Sequence, residues 1–141
     1  LTSFSQSQAL SILTHADADS VKALAESVLS SVGAVQVLKN RTGLVMLPYT
    51  DSAGGVVFHL GEVLVSEAHI EIENGSQGYA LVMGRDLVLA VGIALLDAAL
   101  QANIETDAIT LFLRDAQQAQ QAADAHVLQQ VEATRVEMET F

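Results

Sequence analysis

The stretch from Gly78 to Leu100, GYALVMGRDLVLAVGIALLDAAL, constrains the fold more than any other part of the chain. Alternation over Tyr79 to Met83 predicts a strand; Gly84 marks the break, and the helix that begins near Asp86 is apolar on nearly every side. Only Arg85, Asp86 and Asp97 carry charge in the segment. A helix greasy all round cannot turn a flank to water. It must be covered by its own fold, and the expectation is that another protein covers it as well, which points to a subunit.

A chain of 141 residues is one domain's worth, so a single domain over 1–141 is expected. Half of the residues are hydrophobic, yet aromatics make up only 4% and Trp is absent, so the core must be assembled from Leu, Val, Ile and Ala. The longest apolar run, Leu87 to Leu96, is about half of the roughly 20 residues a membrane span requires. No basic leader followed by an apolar stretch is visible, and the chain has no cysteine, so cytoplasmic residence is the expectation. Seventeen acidic against six basic side chains give a formal charge of −11. That charge repels the phosphate backbone that dominates nucleic-acid affinity, which argues against DNA and RNA as partners. It also makes the chain a poor sole binder of a polyanion, so where phosphate matters a partner or Mg²⁺ would supply the positive field.

Periodicity organises the rest. A first helix runs roughly from Ser5 to His15. A second carries Val21, Leu24, Ala25, Val28, Leu29 and Val32 on one stripe, with Asp17 or Asp19 as N-cap and Gly33 to end it. From Ala34 the period becomes two: Val35 and Val37, then Leu44 to Tyr49 after an Arg41-Thr42-Gly43 turn, read as a hairpin. Pro48 lacks an amide donor and belongs at a strand end or edge. Asp51 to Gly55 reads as a loop, followed by extended segments at Val56 to Leu60 and Val63 to Glu73. Ile70 and Ile72 face inward while His69, Glu71 and Glu73 face water. Asn74-Gly75 then makes a tight hairpin that returns Tyr79 to Met83 antiparallel. From about Thr106 to Glu139 there is no Pro or Gly, and the segment reads as one long helix or two in series, with Ile109, Phe112, Leu113, Ala116, Ala119, Ala123, Val127, Val131 and Met138 on one stripe.

Candidate chemistry is sparse. Arg85 beside Gly84, at the entrance to the apolar helix, could hold an anion between its guanidinium and the free amides of the first turn. The competing structural role has Asp86 capping those amides and pairing with a nearby cation. His15, His59, His69 and His126 are scattered; only His59 with His69, completed by Glu62 or Glu71, could form a metal site, and only if their strands pair. No Gly-x-Ser-x-Gly elbow, phosphate loop or dinucleotide turn is present. Glu137 and Glu139 stand at a helix end where the macrodipole favours cations, so a continuing chain, a partner's basic surface or fraying must settle that end. Arg135, three residues after Glu132, most simply makes a local pair.

Five short motifs occur in an ordered series: Thr42-Gly43-Leu44-Val45, Gly78-Tyr79, Gly84-Arg85-Asp86, Ala94-Leu95-Leu96-Asp97-Ala98 and Ala133-Thr134-Arg135-Val136-Glu137. Their order and spacing resemble the PhnG subunit family of bacterial carbon-phosphorus lyase, over most of the chain from Leu10-Ser11-Ile12-Leu13 onward. The resemblance implies a cytoplasmic accessory subunit that works with PhnH-, PhnI- and PhnJ-like chains. It further implies a role in the Mg-ATP-dependent step that places an alkylphosphonate on ribose C1′, giving a ribose 1-alkylphosphonate 5-triphosphate. In that family the nucleosidase-type chemistry is attributed to PhnI and the radical cleavage to the iron-sulfur subunit PhnJ. No cofactor is expected on this chain alone, Mg-ATP being a substrate of the complex. The matching positions Tyr79, Gly84, Arg85, Asp86, Arg135 and Glu137 become candidates for interface or fold-determining roles, with no catalytic residue and no metal ligand among them. Two departures stand out: Val136-Glu137-Met138-Glu139 replaces an acidic residue followed by aromatics, and the helix after Asp86 is more apolar than usual.

The expected architecture is α+β, a mainly antiparallel sheet packed with two N-terminal helices, a buried helix and a long C-terminal helix. The alternative is a stand-alone protein, a homodimer burying the same faces against itself or an anion binder or enzyme using Arg85 with a histidine.

Overall fold

The computed structural model describes the backbone of residues 4–50 and 57–139, and the side chains of 4–46 and 61–126. Helix α1 (Gln6–His15) starts from a capping box in which Ser5 and Gln8 satisfy each other's amides, a pairing the Ser-x-x-Gln spacing encodes. Helix α2 (Ala18–Val32) is capped by Asp17, which accepts from the amide and hydroxyl of Ser20, and closes at Gly33 with φ +78°. Of the two N-cap candidates it is therefore Asp17 that acts.

Three strands follow, β1 (Val35–Thr50), β2 (Val57–Ile72) and β3 (Gln77–Met83), in an antiparallel sheet of order β1-β2-β3. The turn expected at Arg41-Thr42-Gly43 does not exist. These residues pair with Glu67, Ser66 and Val65 in an unbroken ladder, so one long strand replaces two short ones. Thr and Arg are compatible with extended backbone, and Gly43 is the one turn-like residue there; cross-strand pairing overrides so weak a signal. The two extended segments expected after the loop likewise merge into β2. Pro48 does lie on an edge strand, beside a register shift. The expected loop at 51–55 lies outside the described residues. The β2–β3 connection is wider than a two-residue turn: only Gly75 takes positive φ, and the Asn74 side chain accepts from the Ser76 amide.

Helix α3 (Leu87–Gln101) is the hub. One side lies on the sheet face formed by Ala68, Ile70, Ile72, Ala80 and Val82; α2 packs on it through Ala25, and α1 and α4 (Thr106–Glu139) cover more of it. The chain thus covers Gly92 to Ala99 by itself, so the expectation that this helix needs a second protein is corrected. The small residues of α3 allow its neighbours to come close on several sides, so four elements suffice to enclose Gly92 to Ala99, while Val88 of its first turn stays exposed. Helix α4 is a single helix, buried at Ile109 and Leu113 and tied to α1 where Gln120 Nε2 donates to the Ile12 carbonyl. Ala119 and Ala123, expected on a buried stripe, are exposed.

Gly78 shows how tightly β3 meets α3. A Cβ at this position would overlap the Ala94 carbonyl oxygen and the Ala98 amide nitrogen, both rigid helix backbone. At Gly92 a Cβ would stand an ordinary 3.4 Å from the Ala25 Cβ. Gly78→Ala should therefore cost roughly 3 kcal/mol by forcing strand and helix apart. Gly92→Ala, which gains helix propensity, should stay within about 1 kcal/mol of the parent. Urea denaturation of the two variants checks the contrast; equal losses would contradict the packing described.

Candidate functional site

The entrance to α3 is fixed from the sheet. Ser66, fully buried at an inward-facing position of β2, donates its hydroxyl to the Gly84 carbonyl at 2.6 Å, and the Gly84 amide donates to Leu64 O at 2.8 Å. Gly84 takes φ +94°, which suits glycine, and turns the chain from β3 into the helix. Asp86 is the N-cap, accepting from the Leu89 amide at 2.9 Å, and its other oxygen meets Lys22 Nζ of α2 at 2.9 Å. The carboxylate thus stands where an anion would bind, and a cation from another helix already answers it. Arg85 is exposed and makes no ion pair among the described residues.

A second cluster lies on the outer face of the sheet, away from α3. The Tyr79 hydroxyl donates to Glu67 Oε2 at 2.6 Å, while Arg41 Nε meets Glu67 Oε1 at 3.0 Å and Lys39 stands at 3.9 Å. The Tyr79 ring packs edge-on to His69, whose Nε2 is 2.9 Å from Gln77 Oε1. The Tyr79 hydrogen bond, helped by the two cations, holds the Glu67 carboxyl below its ordinary range; the same bond, then burial, raises the Tyr79 phenol. This network orders side chains across all three strands. The residues sit one or two positions apart in the ladder, so the hairpin register gave a signal for Glu67, and Ser66 was visible as a polar residue in an inward series.

The same face turns apolar beyond this cluster. Leu81 and Met83 of β3 are exposed, Met83 to 71%. Past the Val65–Met83 pair β3 ends, and β1 and β2 continue as a two-stranded ribbon from Leu44–Leu64 to Thr50–Val57. Leu44, Val45 and Met46 are all exposed there, Leu44 to 62%, although consecutive strand residues point to opposite faces. Over 42–50 and 57–64 the one Lys, Arg, Asp or Glu is Glu62, exposed opposite Met46. Exposed apolar side chains are therefore concentrated on the ribbon and outer sheet, and α3 adds Val88 in its first turn.

Other candidates separate. His59 and His69 belong to the same strand, ten residues apart, so their strands cannot bring them together. Among the described residues no group of three His, Asp or Glu could hold a metal ion, and no helix is long and apolar enough to cross a membrane. Arg135 and Glu137 fall on α4, with side chains outside the described residues.

With this geometry in place, comparison with known proteins is decisive for the family. Residues 5–141 match the family described as "Phosphonate metabolism protein PhnG". The chain belongs to the PhnG family. A curated relative from Rhizobium meliloti (strain 1021), named "Alpha-D-ribose 1-methylphosphonate 5-triphosphate synthase subunit PhnG", is 30% identical over 100 residues. Those residues are 71% of this chain and 64% of the relative, so the match spans less than two thirds of the relative's length. Within a PhnG chain, then, Gly84 and Asp86 shape the fold, Tyr79 orders the outer sheet face, and Arg85 stands open to solvent.

Asp86 also predicts a pH dependence. Its carboxyl is held below the ordinary range, first by Lys22 and then by the Leu89 amide. A depressed folded pKa means that the stabilisation is fully present above the unfolded value of about 3.9 and is lost as pH falls through the lower folded value. Asp86→Ala should cost about 0.5–2 kcal/mol at pH 7 as a lost cap. The gap to the parent should narrow as pH drops below 4. Urea midpoints at pH 7 and pH 3 test this, and a gap that widens in acid would refute the assignment.

Proposed function

We propose that this PhnG-family chain is an accessory, non-catalytic subunit of an alkylphosphonate ribosyl-triphosphate synthase. That assembly forms ribose 1-alkylphosphonate 5-triphosphate from alkylphosphonate and Mg-ATP during phosphonate catabolism. The observation that carries the proposal is the run of exposed apolar side chains Leu44, Val45 and Met46 at the start of the ribbon and the apolar sheet face beside it, on a chain whose relative bears the name of a synthase subunit. Isolated exposed apolar residues are ordinary on a protein surface, but a contiguous group on both faces of one ribbon marks an interaction site.

PhnH-, PhnI- and PhnJ-like chains in the cytoplasm are the proposed partners. Mg-ATP enters as substrate of the assembly and not as a ligand of this chain alone. The sequence carries no phosphate loop, and its −11 charge opposes a triphosphate, so the catalytic groups belong to companions. Arg85, Arg135 and Glu137 are the proposed charged contacts to companions. The chain's own work is then geometric: α3 and the Tyr79–Glu67 network hold the sheet rigid, and the rigid sheet presents the ribbon for burial at roughly 25 cal/mol per Å² of apolar surface.

Leu44→Glu and Met83→Glu should each leave the unfolding midpoint of the isolated chain nearly unchanged, because both side chains are mostly in water. Each should reduce co-purification with PhnI- and PhnH-like chains at least tenfold, a loss of about 1.4 kcal/mol or more. Synthesis of ribose 1-methylphosphonate 5-triphosphate from Mg-ATP and methylphosphonate should require the companions and fall with the assembly. Turnover by the isolated chain, or full assembly with both variants, would overturn the proposal; a homodimer seen by light scattering that both substitutions dissolve would favour self-association instead.

A further inference from the structure

Asp97 is the one charge within the buried run of α3, and it is only 3% exposed. Its two hydrogen bonds both fall on Oδ2, from the Tyr79 amide at 3.0 Å and from Gln6 Nε2 at 3.2 Å. Both donors are neutral. Among the described residues none donates to Oδ1, and no Lys, Arg or His forms an ion pair with the carboxylate. A buried carboxylate without a cation is costly to hold.

The carboxylate does not end in solid packing. It lines a cavity of about 390 Å³ between the start of α1, the end of α3 and the start of α4. Phe4 and Leu113 supply apolar wall; Gln6, Thr106 and Thr110 supply polar groups. An independent observation points the same way. Thr106 Oγ1 is buried and has no hydrogen-bond partner among the described residues, and Thr106 lines this cavity. Buried hydroxyls are almost always paired, so an unpaired one in the wall of the cavity that an uncompensated carboxylate also lines describes a polar site shaped for something else.

The sign of the site selects its ligand. A carboxylate at the wall repels phosphate, phosphonate and carboxylate groups. A metal ion of the Mg²⁺ or Ca²⁺ type needs several oxygen ligands and usually more than one carboxylate, and no second one lines the cavity. What fits is a nitrogen cation with several N–H donors on an apolar stem: donors for Asp97 Oδ1 and Thr106 Oγ1, and carbon for Phe4 and Leu113. We infer that this cavity is a binding site for a guanidinium or alkylammonium head group. The head belongs either to a small free amine or guanidine, or to an Arg or Lys side chain that a companion subunit inserts.

Butylguanidinium and butylammonium serve as probes, with butyrate as the probe of opposite charge and equal stem. Calorimetric titration and thermal melts of the full chain should show binding and a raised melting temperature with both cations and neither effect with butyrate. Asp97→Asn keeps an oxygen for the Tyr79 amide and so preserves the fold, but it should weaken binding of the cations roughly tenfold. Thr106→Val should raise the melting temperature without probe, by removing the unpaired hydroxyl, and still weaken binding. Repeating the titration on the assembled complex separates the sources. A response equal to that of the lone chain indicates a free small molecule; a response lost on assembly indicates a partner's side chain. Equal effects of butyrate and the cations, undiminished binding by Asp97→Asn, or no binding at tens of millimolar would overturn the inference.

Discussion

The fold depends on the contact between β3 and α3. Gly78 lets strand backbone lie directly on helix backbone, and one residue later the Tyr79 amide reaches the Asp97 carboxylate of the same helix. Sheet and helix are thereby joined by main-chain proximity and one charged acceptor, without large side chains between them. That suits a chain with almost no aromatic residues. Where Leu, Val, Ile and Ala must fill the interior, density comes from closeness of the elements, and α3 supplies it with Gly92, Ala94, Ala98 and Ala99.

Much of this was legible in the sequence because the signals were local. The stripe of α2 with Asp17 and Gly33, the inward Ile70 and Ile72, and the cap at Asp86 each follow from spacing and turn chemistry within a few residues. What escaped was decided by distant partners. The Arg41-Thr42-Gly43 segment looks like a turn until Glu67, Ser66 and Val65 pair with it. Lys22 acquires its role only because α2 crosses the start of α3. The apolar helix declared correctly that it must be buried, but the further expectation of a covering protein fails over Gly92 to Ala99, which its own chain encloses. The exposed apolar surface was hidden in the strands, where a two-sided apolar pattern also reads as a buried core strand.

Charge is distributed accordingly. A strongly acidic chain keeps its ribbon nearly free of charge, with Glu62 the one acid there, and concentrates its described ion pairs at two joints, Lys22–Asp86 between helices and Arg41–Glu67–Lys39 across the sheet. Both joints bear on the orientation of elements. The first pins the start of α3 to α2, and the second braces the sheet next to the apolar face that a partner would cover.

The long β1 edge has a further consequence for the life of the chain before assembly. Among the described residues no strand pairs with the outer edge of β1, and its sixteen residues, with little charge and a single proline, are a template for any other extended segment. On the reading that this chain joins companion subunits, a newly made molecule would be open to misfolding by strand capture until they arrive. Matched production of the subunits would act as quality control, sparing only those copies whose edge is sheltered in time.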